Sequence, residues 1–202
     1  LPFTVGYGMT EAAPLLAYED WWEFKSKSCG KAVDSVEVRI DSDDPLNTVG
    51  EIQAKGISLM SGYYKNDEAT KAAFTEDGWM RTGDLGVLDS LGNIYIRGRS
   101  KNMILSANGQ NIYPEEIEAV VNNQPYVIES VVIDRGSSLV ALVYVDSDKL
   151  AADAVNVEEQ MNALKNEVNK SMPSYSKISK VEVMDAPFEK TPKMSIKRFM
   201  YK

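Results

Sequence analysis

A chain of 202 residues with 44% hydrophobic content is long enough to bury one sizeable core or two smaller ones, and we expect two domains. Its 30 acidic and 22 basic side chains give a formal charge of −8, which argues against nucleic acid as a partner because phosphate binding needs a cationic surface. The sequence has one cysteine, Cys29, and no histidine, which excludes an intrachain disulfide, a Ser-His-Asp triad and histidine metal sites.

The segment from about residue 33 to residue 98 is predicted to form a small β subdomain. Apolar and polar residues alternate in two early runs, and two later runs are joined by turn formers and a glycine, as a hairpin requires. Between the two pairs, Asn66 can cap a short helix that ends at Phe74. The predicted strands cover residues 36–40, 50–54, 86–88 and 93–96.

After Arg99 the pattern changes to alternating helices and strands, which predicts a separate domain. A helix is expected to begin at Pro114, because the missing N–H of proline costs little there and the glutamates that follow favour a helix N-terminus. An apolar stripe at helical spacing predicts another helix, formed around Val157, Met161, Leu164 and Val168. Strands are predicted over 127–133 and 139–145, which form a hairpin, and over 178–184, before a polar tail from Glu189.

Three short segments carry the residue types that a bound nucleotide needs. Residues 7–11 read Y-G-M-T-E, residues 82–84 read T-G-D, and G-R at 98–99 leads to P-E-E-I-E at 114–118. A flat ring can lie against adenine, hydroxyl groups can bind phosphate, and carboxylates can hold magnesium or bridge two ribose hydroxyls. In this order the segments indicate half of an adenylate site.

The same segments resemble the motifs of the adenylate-forming superfamily, which includes acyl-CoA synthetases, luciferases and the adenylation domains of peptide synthetases. Residues 7–11 match the family's Y-G-x-T-E segment, residues 50–63 its G-E-[LI]…G-Y segment, and residues 79–85 its W-x-x-T-G-D-L segment. The resemblance covers nearly the whole chain. It implies an α+β fold in which residues 1–98 are the C-terminal part of a large AMP-binding domain, with a β-rich subdomain, and residues 99–202 are a small mobile domain.

The resemblance implies nucleotide contacts for the first motif. Tyr7 would line the adenine pocket, with Gly8 and Met9 beside it as further nucleotide-binding residues, and Gly8 would let the ligand approach the backbone. Thr10 would contact phosphate and Glu11 would help to hold Mg²⁺. Without the resemblance, Tyr7 fits a core aromatic at a strand end, and Glu11 fits a solvated carboxylate.

The second motif supplies the implied ribose contact. The two oxygens of Asp84 would bind the 2′ and 3′ hydroxyls, although an aspartate after a Thr-Gly turn often only caps the backbone. The guanidinium of Arg99, next to a glycine, would bind ribose and phosphate oxygens; otherwise Arg99 is a surface arginine.

The family uses its small domain twice, with one face for adenylation and, after rotation, another face for thioester formation. Lys101 matches the hinge position of that rotation, or is only a solvated linker residue. The loop that ends at Gly109 resembles the segment that lines the pantetheine tunnel, and a simple turn glycine is the alternative.

The C-terminal tail departs from the family pattern. Relatives carry a lysine just before I-x-[KR], and that lysine reaches the carboxylate and the α-phosphate during adenylation. Alignment on Ile196 places Ser195 at this position, and serine has no positive charge. We expect Lys193 to substitute by a shift of register; Lys197 is the other candidate, and impaired adenylation is the third outcome.

The family's phosphate loop and acyl tunnel lie upstream of the Y-G-x-T-E segment, so the resemblance implies a fragment of a larger enzyme that is inactive by itself. The parent would activate a fatty acid with ATP as acyl-AMP and transfer it to CoA, releasing pyrophosphate and AMP. Residues 98–104 and 196–199 look most like those of bacterial long-chain-fatty-acid–CoA ligases. The alternatives are an adenylation domain that loads a carrier protein and a noncatalytic ligase-like binding module, which Ser195 favours.

The expected partners are therefore small molecules: ATP or AMP with Mg²⁺, a fatty acid, and CoA as co-substrate. A lipid substrate is compatible with peripheral membrane association of the parent. No run approaches 18 apolar residues and the segment at Leu1 does not have the regions of a signal peptide, so a cytoplasmic location is expected.

Overall fold

Two units make up the chain, Leu1–Lys101 and Asn102–Lys202. This computed structural model describes residues 3–136 and 138–201. Each unit combines helices with small β-sheets around buried hydrophobic side chains of its own, which confirms the predicted α+β fold class.

The first unit begins with a three-stranded antiparallel sheet in the order β1-β2-β3. A 3-10 helix, Thr10–Ala12, connects the first two strands. Tyr7 lies opposite Ala17 in the register, and the ladder is irregular between Tyr7 and Gly8. The strands are β1 (Val5–Gly8), β2 (Leu15–Glu19) and β3 (Lys31–Ala32).

A four-stranded antiparallel meander follows, in the order β4-β5-β6-β7. The predicted helix is confirmed as α1 (Asp67–Ala73), with the Asn66 side chain accepting a hydrogen bond of 3.0 Å from the Ala69 N–H. The predicted strands are also confirmed, but the third starts at Met80 rather than at residue 86, so the T-G-D segment lies within a strand. The strands are β4 (Val36–Asp41), β5 (Gly50–Gly56), β6 (Met80–Leu88) and β7 (Ile94–Arg99).

The core of the first unit joins both sheets. Leu16 from β2 and Ile52, Met80 and Ile94 from the meander are fully buried in one cluster, which also contains Tyr7. Burial of these side chains is the main stabilising contribution to the unit. The cluster therefore fixes the strand that carries Tyr7 against the strands that carry T-G-D and Arg99.

The second unit contains the predicted β-hairpin, with a third strand added in parallel. β10 and β11 pair antiparallel, whereas β12 pairs parallel to β11 because helix α4 makes the crossover between them. The small hairpin of β8 and β9 and the short helix α3 were not predicted. The elements are β8 (Ile104–Leu105), β9 (Asn111–Ile112), α2 (Pro114–Val121), β10 (Val127–Asp134), β11 (Leu139–Val145), α3 (Ser147–Ala152), α4 (Val157–Ser171) and β12 (Ile178–Val183).

Helix α2 begins at Pro114 as predicted, and α4 buries the predicted stripe except for Val157, which is 42% exposed at the first helical position.

The tail is less polar than predicted. Ile196 and Tyr201 pack against a cluster that contains buried Phe188, and residues Arg198–Met200 form a 3-10 helix. Among the described residues, no helix combines the length and the apolar character that crossing a membrane requires.

Candidate functional site

The T-G-D segment is a bulge in β6. Glu51 lies opposite Leu85 and Gln53 lies opposite Arg81, so the single residue Ile52 of β5 faces three residues of β6, namely 82–84. Such a bulge interrupts the ladder and redirects the side chains that follow it. Sequence reasoning predicted a tight turn before Asp84; in the structure the chain continues through it as a strand.

Side-chain oxygens replace the hydrogen bonds that the bulge interrupts. The Thr82 hydroxyl donates to the Ile52 carbonyl at 2.7 Å and accepts from the Asp84 N–H at 3.1 Å. Gly83 has a φ of +72°, a left-handed conformation that favours glycine, and its N–H donates to Glu51 Oε1 at 3.2 Å. The backbone just before Asp84 is therefore held by side chains as well as by the sheet.

The Asp84 carboxylate contacts two residues that the sequence also selected. Tyr7 Oη donates to Asp84 Oδ2 at 2.7 Å, and Arg99 Nε lies 2.6 Å from Asp84 Oδ1. The Asp84 side chain is only 7% exposed, whereas that of Arg99 is 59% exposed. This arrangement fixes a carboxylate at the edge of the core and leaves most of the arginine side chain accessible.

Tyr7 is a buried residue, and its hydroxyl is part of the site. Burial, together with the negative charge of Asp84, raises the pKa of Tyr7 above its ordinary value. The phenol therefore keeps its proton at neutral pH and acts as the donor to Asp84. The contact joins residues 77 positions apart in the sequence.

The rest of the first motif is more exposed. At Gly8 a Cβ atom would lie 2.0 Å from the Pro14 carbonyl oxygen, so the chain itself requires glycine here. Thr10 is exposed in the 3-10 helix, whereas Met9 is half-buried and packs against the core cluster. Glu11 is also half-buried, and its Oε1 accepts a hydrogen bond of 2.9 Å from Tyr63, which raises the pKa of the Tyr63 phenol.

A magnesium site built from protein side chains alone is not found in the described part of the chain, where no three Cys, Asp or Glu residues are grouped suitably. Mg²⁺ usually keeps several waters and binds one or two carboxylates together with substrate phosphates. A single half-buried carboxylate such as Glu11 fits that kind of site, in which phosphate supplies the other ligands.

Gly109 and Lys193 lie in the second unit. Gly109 is exposed in the loop between β8 and β9, where its φ of +75° and the hydrogen bond from its N–H to the Ser106 carbonyl form a turn. A Cβ atom there would meet nothing within 4 Å, so only the left-handed backbone requires glycine.

Lys193 lies in a tight turn of the tail. Lys190 and Ile196 form an antiparallel bridge, and the Thr191 N–H donates to the Ser195 carbonyl at 2.8 Å, which closes the turn. Lys193 is exposed, and within the described residues it has no ion-pair partner. The neighbouring lysines differ, since Lys190 Nζ lies 2.6 Å from Glu129 and Lys197 Nζ lies 3.6 Å from Glu189.

Comparison with protein families agrees with these motifs. A family model described as "AMP-binding enzyme C-terminal domain" matches residues 101–201, which is half of the chain, and one described as "AMP-binding enzyme" matches residues 1–64. The chain belongs to the AMP-binding enzyme family. The resemblance inferred from the motifs is confirmed at this level.

Relatives in the AMP-binding enzyme family have different named substrates. The chain is 37% identical to a 2-succinylbenzoate–CoA ligase of Bacillus cytotoxicus, over 67% of the chain and 29% of that protein. It is 30% identical to the long-chain-fatty-acid–CoA ligase FadD15 of Mycobacterium bovis, over 96% of the chain and 35% of that protein. The chain thus spans about a third of the length of these curated relatives.

A solved structure of an AMP-binding enzyme has the same fold. The O-succinylbenzoate coenzyme A synthetase (MenE) of Bacillus subtilis, in complex with ATP and magnesium ion, matches with a TM-score of 0.85 and 29% identity. The match covers 98% of this chain and 41% of that one. The fold is therefore that of the corresponding part of this enzyme.

Sequence reasoning missed the residues that support Asp84. Neither Thr82 nor Glu51 was selected for a role, although both belong to motifs of the AMP-binding enzyme family. The bulge that these residues support can be recognised only by counting residues between paired positions on β5 and β6. Those pairs are known only once the register is known, so the sequence offered little signal.

Proposed function

We propose that this chain is the C-terminal part of an ATP-dependent acid–CoA ligase. The observation that carries the proposal is the buried Asp84 carboxylate, held between the Tyr7 hydroxyl and the Arg99 guanidinium. A fixed carboxylate beside an accessible arginine suits a ribose diol next to phosphate. Membership of the AMP-binding enzyme family supports this assignment.

The proposal includes a role for each of the individual residues. Asp84 accepts from the ribose hydroxyls and Arg99 binds ribose and phosphate oxygens. The segment of Tyr7, Gly8 and Met9 contacts adenine, with Tyr7 also donating to Asp84. Thr10, which is exposed, contacts phosphate. Glu11 would hold Mg²⁺ together with the phosphates, and the ion would neutralise part of their charge.

The proposed reaction has two steps. The carboxylate oxygen of the acid forms a bond to the α-phosphorus of ATP, and the bond to pyrophosphate breaks, which gives acyl-AMP. The CoA thiol then loses its proton to water as its sulfur bonds to the acyl carbon, and the carbon–oxygen bond to AMP breaks, so that AMP leaves. The protein contributes mostly positioning and charge stabilisation to both steps.

Lys193 is proposed as the cation of the first step. It is exposed in the tail turn, whereas the side chains of Lys190 and Lys197 face glutamates. An amino group without a carboxylate partner can interact with the negative charge of a carboxylate and an α-phosphate. Ser195, at the usual position of the lysine, supplies no charge.

The second unit is proposed to serve both steps by rotating about Lys101. The division of the chain between Lys101 and Asn102 supports a hinge there. The exposed loop of Gly109 is proposed to face the pantetheine arm of CoA, because a glycine leaves room for close approach of a ligand to the backbone.

A long-chain fatty acid is the proposed substrate. Its support is the likeness of residues 98–104 and 196–199 to bacterial long-chain ligases, together with the match to a relative of that name. The match to a 2-succinylbenzoate–CoA ligase makes an aromatic acid the main competitor. A cytoplasmic location stays a prediction.

Pyrophosphate exchange into ATP tests the proposal. The complete ligase containing this chain is assayed with a panel of acids: acetate, octanoate, palmitate, 4-coumarate and 2-succinylbenzoate. Exchange that is strongest with palmitate is expected, and at an ATP concentration near the Kd of the wild type it should be much slower in an Asp84→Asn variant. Strongest exchange with an aromatic acid would overturn the fatty acid substrate, and no exchange with any acid would favour the noncatalytic module.

The acceptor is tested in the same preparation. Acyl transfer to CoA is compared with transfer to a phosphopantetheinylated carrier protein after acyl-AMP has formed. Thioester formation with free CoA is expected. Transfer to the carrier protein alone would favour the adenylation domain instead.

A further inference from the structure

Glu51 supports the bulge that carries Asp84 from the neighbouring strand. Its Oε1 accepts the Gly83 N–H at 3.2 Å and its Oε2 lies 2.8 Å from Arg81 Nη1. The Glu51 side chain is only 17% exposed. One carboxylate therefore contacts a backbone N–H within the bulge and the side chain that precedes it.

The bulge needs such a contact because the sheet ladder does not continue through it. Gly83 lies between the paired positions Arg81 and Leu85, and it has a left-handed backbone. On the opposite side, the Gly83 carbonyl accepts the Ser100 N–H at 2.9 Å. Both polar backbone groups of Gly83 are thus bound, which fixes the peptide that leads into Asp84.

We propose that Glu51 is a positioning residue for ribose recognition: it fixes the Gly83 peptide and thereby the direction of the Asp84 carboxylate. This inference rests on the proposed function of Asp84. Glu51 itself does not contact the nucleotide. Without the Glu51 side chain the bulge can move, and the Asp84 carboxylate is then less well aligned with the two ribose hydroxyls.

The expected effect is specific to the ribose. Loss of a hydrogen bond to a charged group corresponds to about a tenfold change in equilibrium. The Kd of ATP should therefore rise about tenfold in Glu51→Ala. The Kd of 3′-deoxy-ATP, which has only one of the two hydroxyls, should change by less than about threefold, because the paired contact is already absent.

The experiment measures both nucleotides by calorimetry on the complete ligase, without acid substrate. A loss of unfolding free energy alone would weaken the binding of ATP and of 3′-deoxy-ATP by the same factor. If binding of the two nucleotides weakens equally, or if binding of ATP does not weaken, the positioning role of Glu51 is overturned. A wild-type ligase that binds ATP and 3′-deoxy-ATP equally well overturns the ribose contact of Asp84 itself, and the positioning role with it.

Matched variants separate the two contacts of Glu51. Glu51→Gln keeps an oxygen that can accept the Gly83 N–H, and Arg81→Met removes only the ion pair, so both should bind ATP within about threefold of wild type. As a control, Asp77→Ala removes a different ion pair, with Arg39, and should leave the Kd values of ATP and 3′-deoxy-ATP unchanged. A loss of ATP affinity in Arg81→Met as large as in Glu51→Ala would overturn the assignment to the Gly83 N–H.

Hydrogen exchange gives an independent reading where Glu51→Ala does not fold. In the wild-type chain the Gly83 amide, bonded to Glu51 Oε1, should exchange at least about a hundredfold more slowly than a glycine amide in an unstructured peptide. Exchange of the Gly83 amide at the rate of the unstructured peptide would overturn the proposal.

Discussion

Asp84 and Lys193 differ in how their side chains are held. The Asp84 carboxylate is buried, and contacts from Tyr7 and Arg99 fix its two oxygens. Lys193 lies in a turn whose backbone is fixed by a bridge between Lys190 and Ile196, but its own side chain is exposed. One group is positioned before any ligand arrives, whereas the other has a fixed backbone and an exposed side chain.

Because of this difference, substitutions at the two sites should affect the free energy of unfolding differently. A substitution of Asp84 removes a buried partner from two other residues, so it changes the free energy of unfolding as well as nucleotide binding. A substitution of Lys193 removes little packing and leaves the fold intact. Activity and stability should therefore change together at the first site and separately at the second.

Lys193→Ala should have the largest effect on rate. Removing a cation that stabilises the developing negative charge costs about 10²–10³ in the rate of acyl-AMP formation. The Kd of ATP and the melting temperature should stay near those of wild type. Pyrophosphate exchange and thermal unfolding of the complete ligase measure both quantities.

Lys197→Ala serves as the competing variant for that experiment. It removes a lysine from the same tail that lies near Glu189. If the exchange rate falls in Lys197→Ala and not in Lys193→Ala, the register proposed for the tail is wrong.

Asp84→Asn should weaken ATP binding about a hundredfold, because the neutral amide is a poorer acceptor for the hydroxyls and no longer balances Arg99. The free energy of unfolding should also decrease, by about 1–3 kcal/mol. Calorimetry and urea unfolding measure the two effects. The exposed ion pair of Asp77 with Arg39 provides the control, since Asp77→Asn should change neither.

Tyr7→Phe should weaken ATP binding less than Asp84→Asn does, because the ring at position 7 and the Asp84 carboxylate both remain. It removes only the hydroxyl, and the loss of a buried hydrogen bond to a charged acceptor costs about 1.5–3 kcal/mol of unfolding free energy. In a double-mutant cycle with Asp84→Asn, the two losses should be less than additive, because they share one contact. Fully additive losses would show that the two side chains do not stabilise each other.

The smallest effect on nucleotide binding is expected at Asp89, in the hairpin between β6 and β7, where a substitution should change only the pH dependence of stability. Burial alone would raise the pKa of Asp89, but hydrogen bonds from Asn93, Lys25 and Leu91 hold it well below its ordinary 3.8. Because the folded pKa is lower than the unfolded one, the stabilisation is present above pH 3.8 and is lost as pH falls below it.

Urea unfolding at several pH values measures this loss. The decrease in unfolding free energy at acid pH should be smaller in Asp89→Asn than in wild type. Identical pH profiles for the two proteins would contradict the lowered pKa of Asp89. Unlike Asp84, this residue should not change the Kd of ATP at neutral pH.

The sequence by itself determined the fold class, most helices and strands, and the family. Local signals were sufficient there, since Asn66 and Pro114 act at helix starts and apolar residues repeat at the spacing of each element. Only the tertiary structure decided how Asp84 is held. Its contact with Tyr7 and the bond of Glu51 to Gly83 join strands far apart in sequence, and they depend on register, which no local pattern specifies.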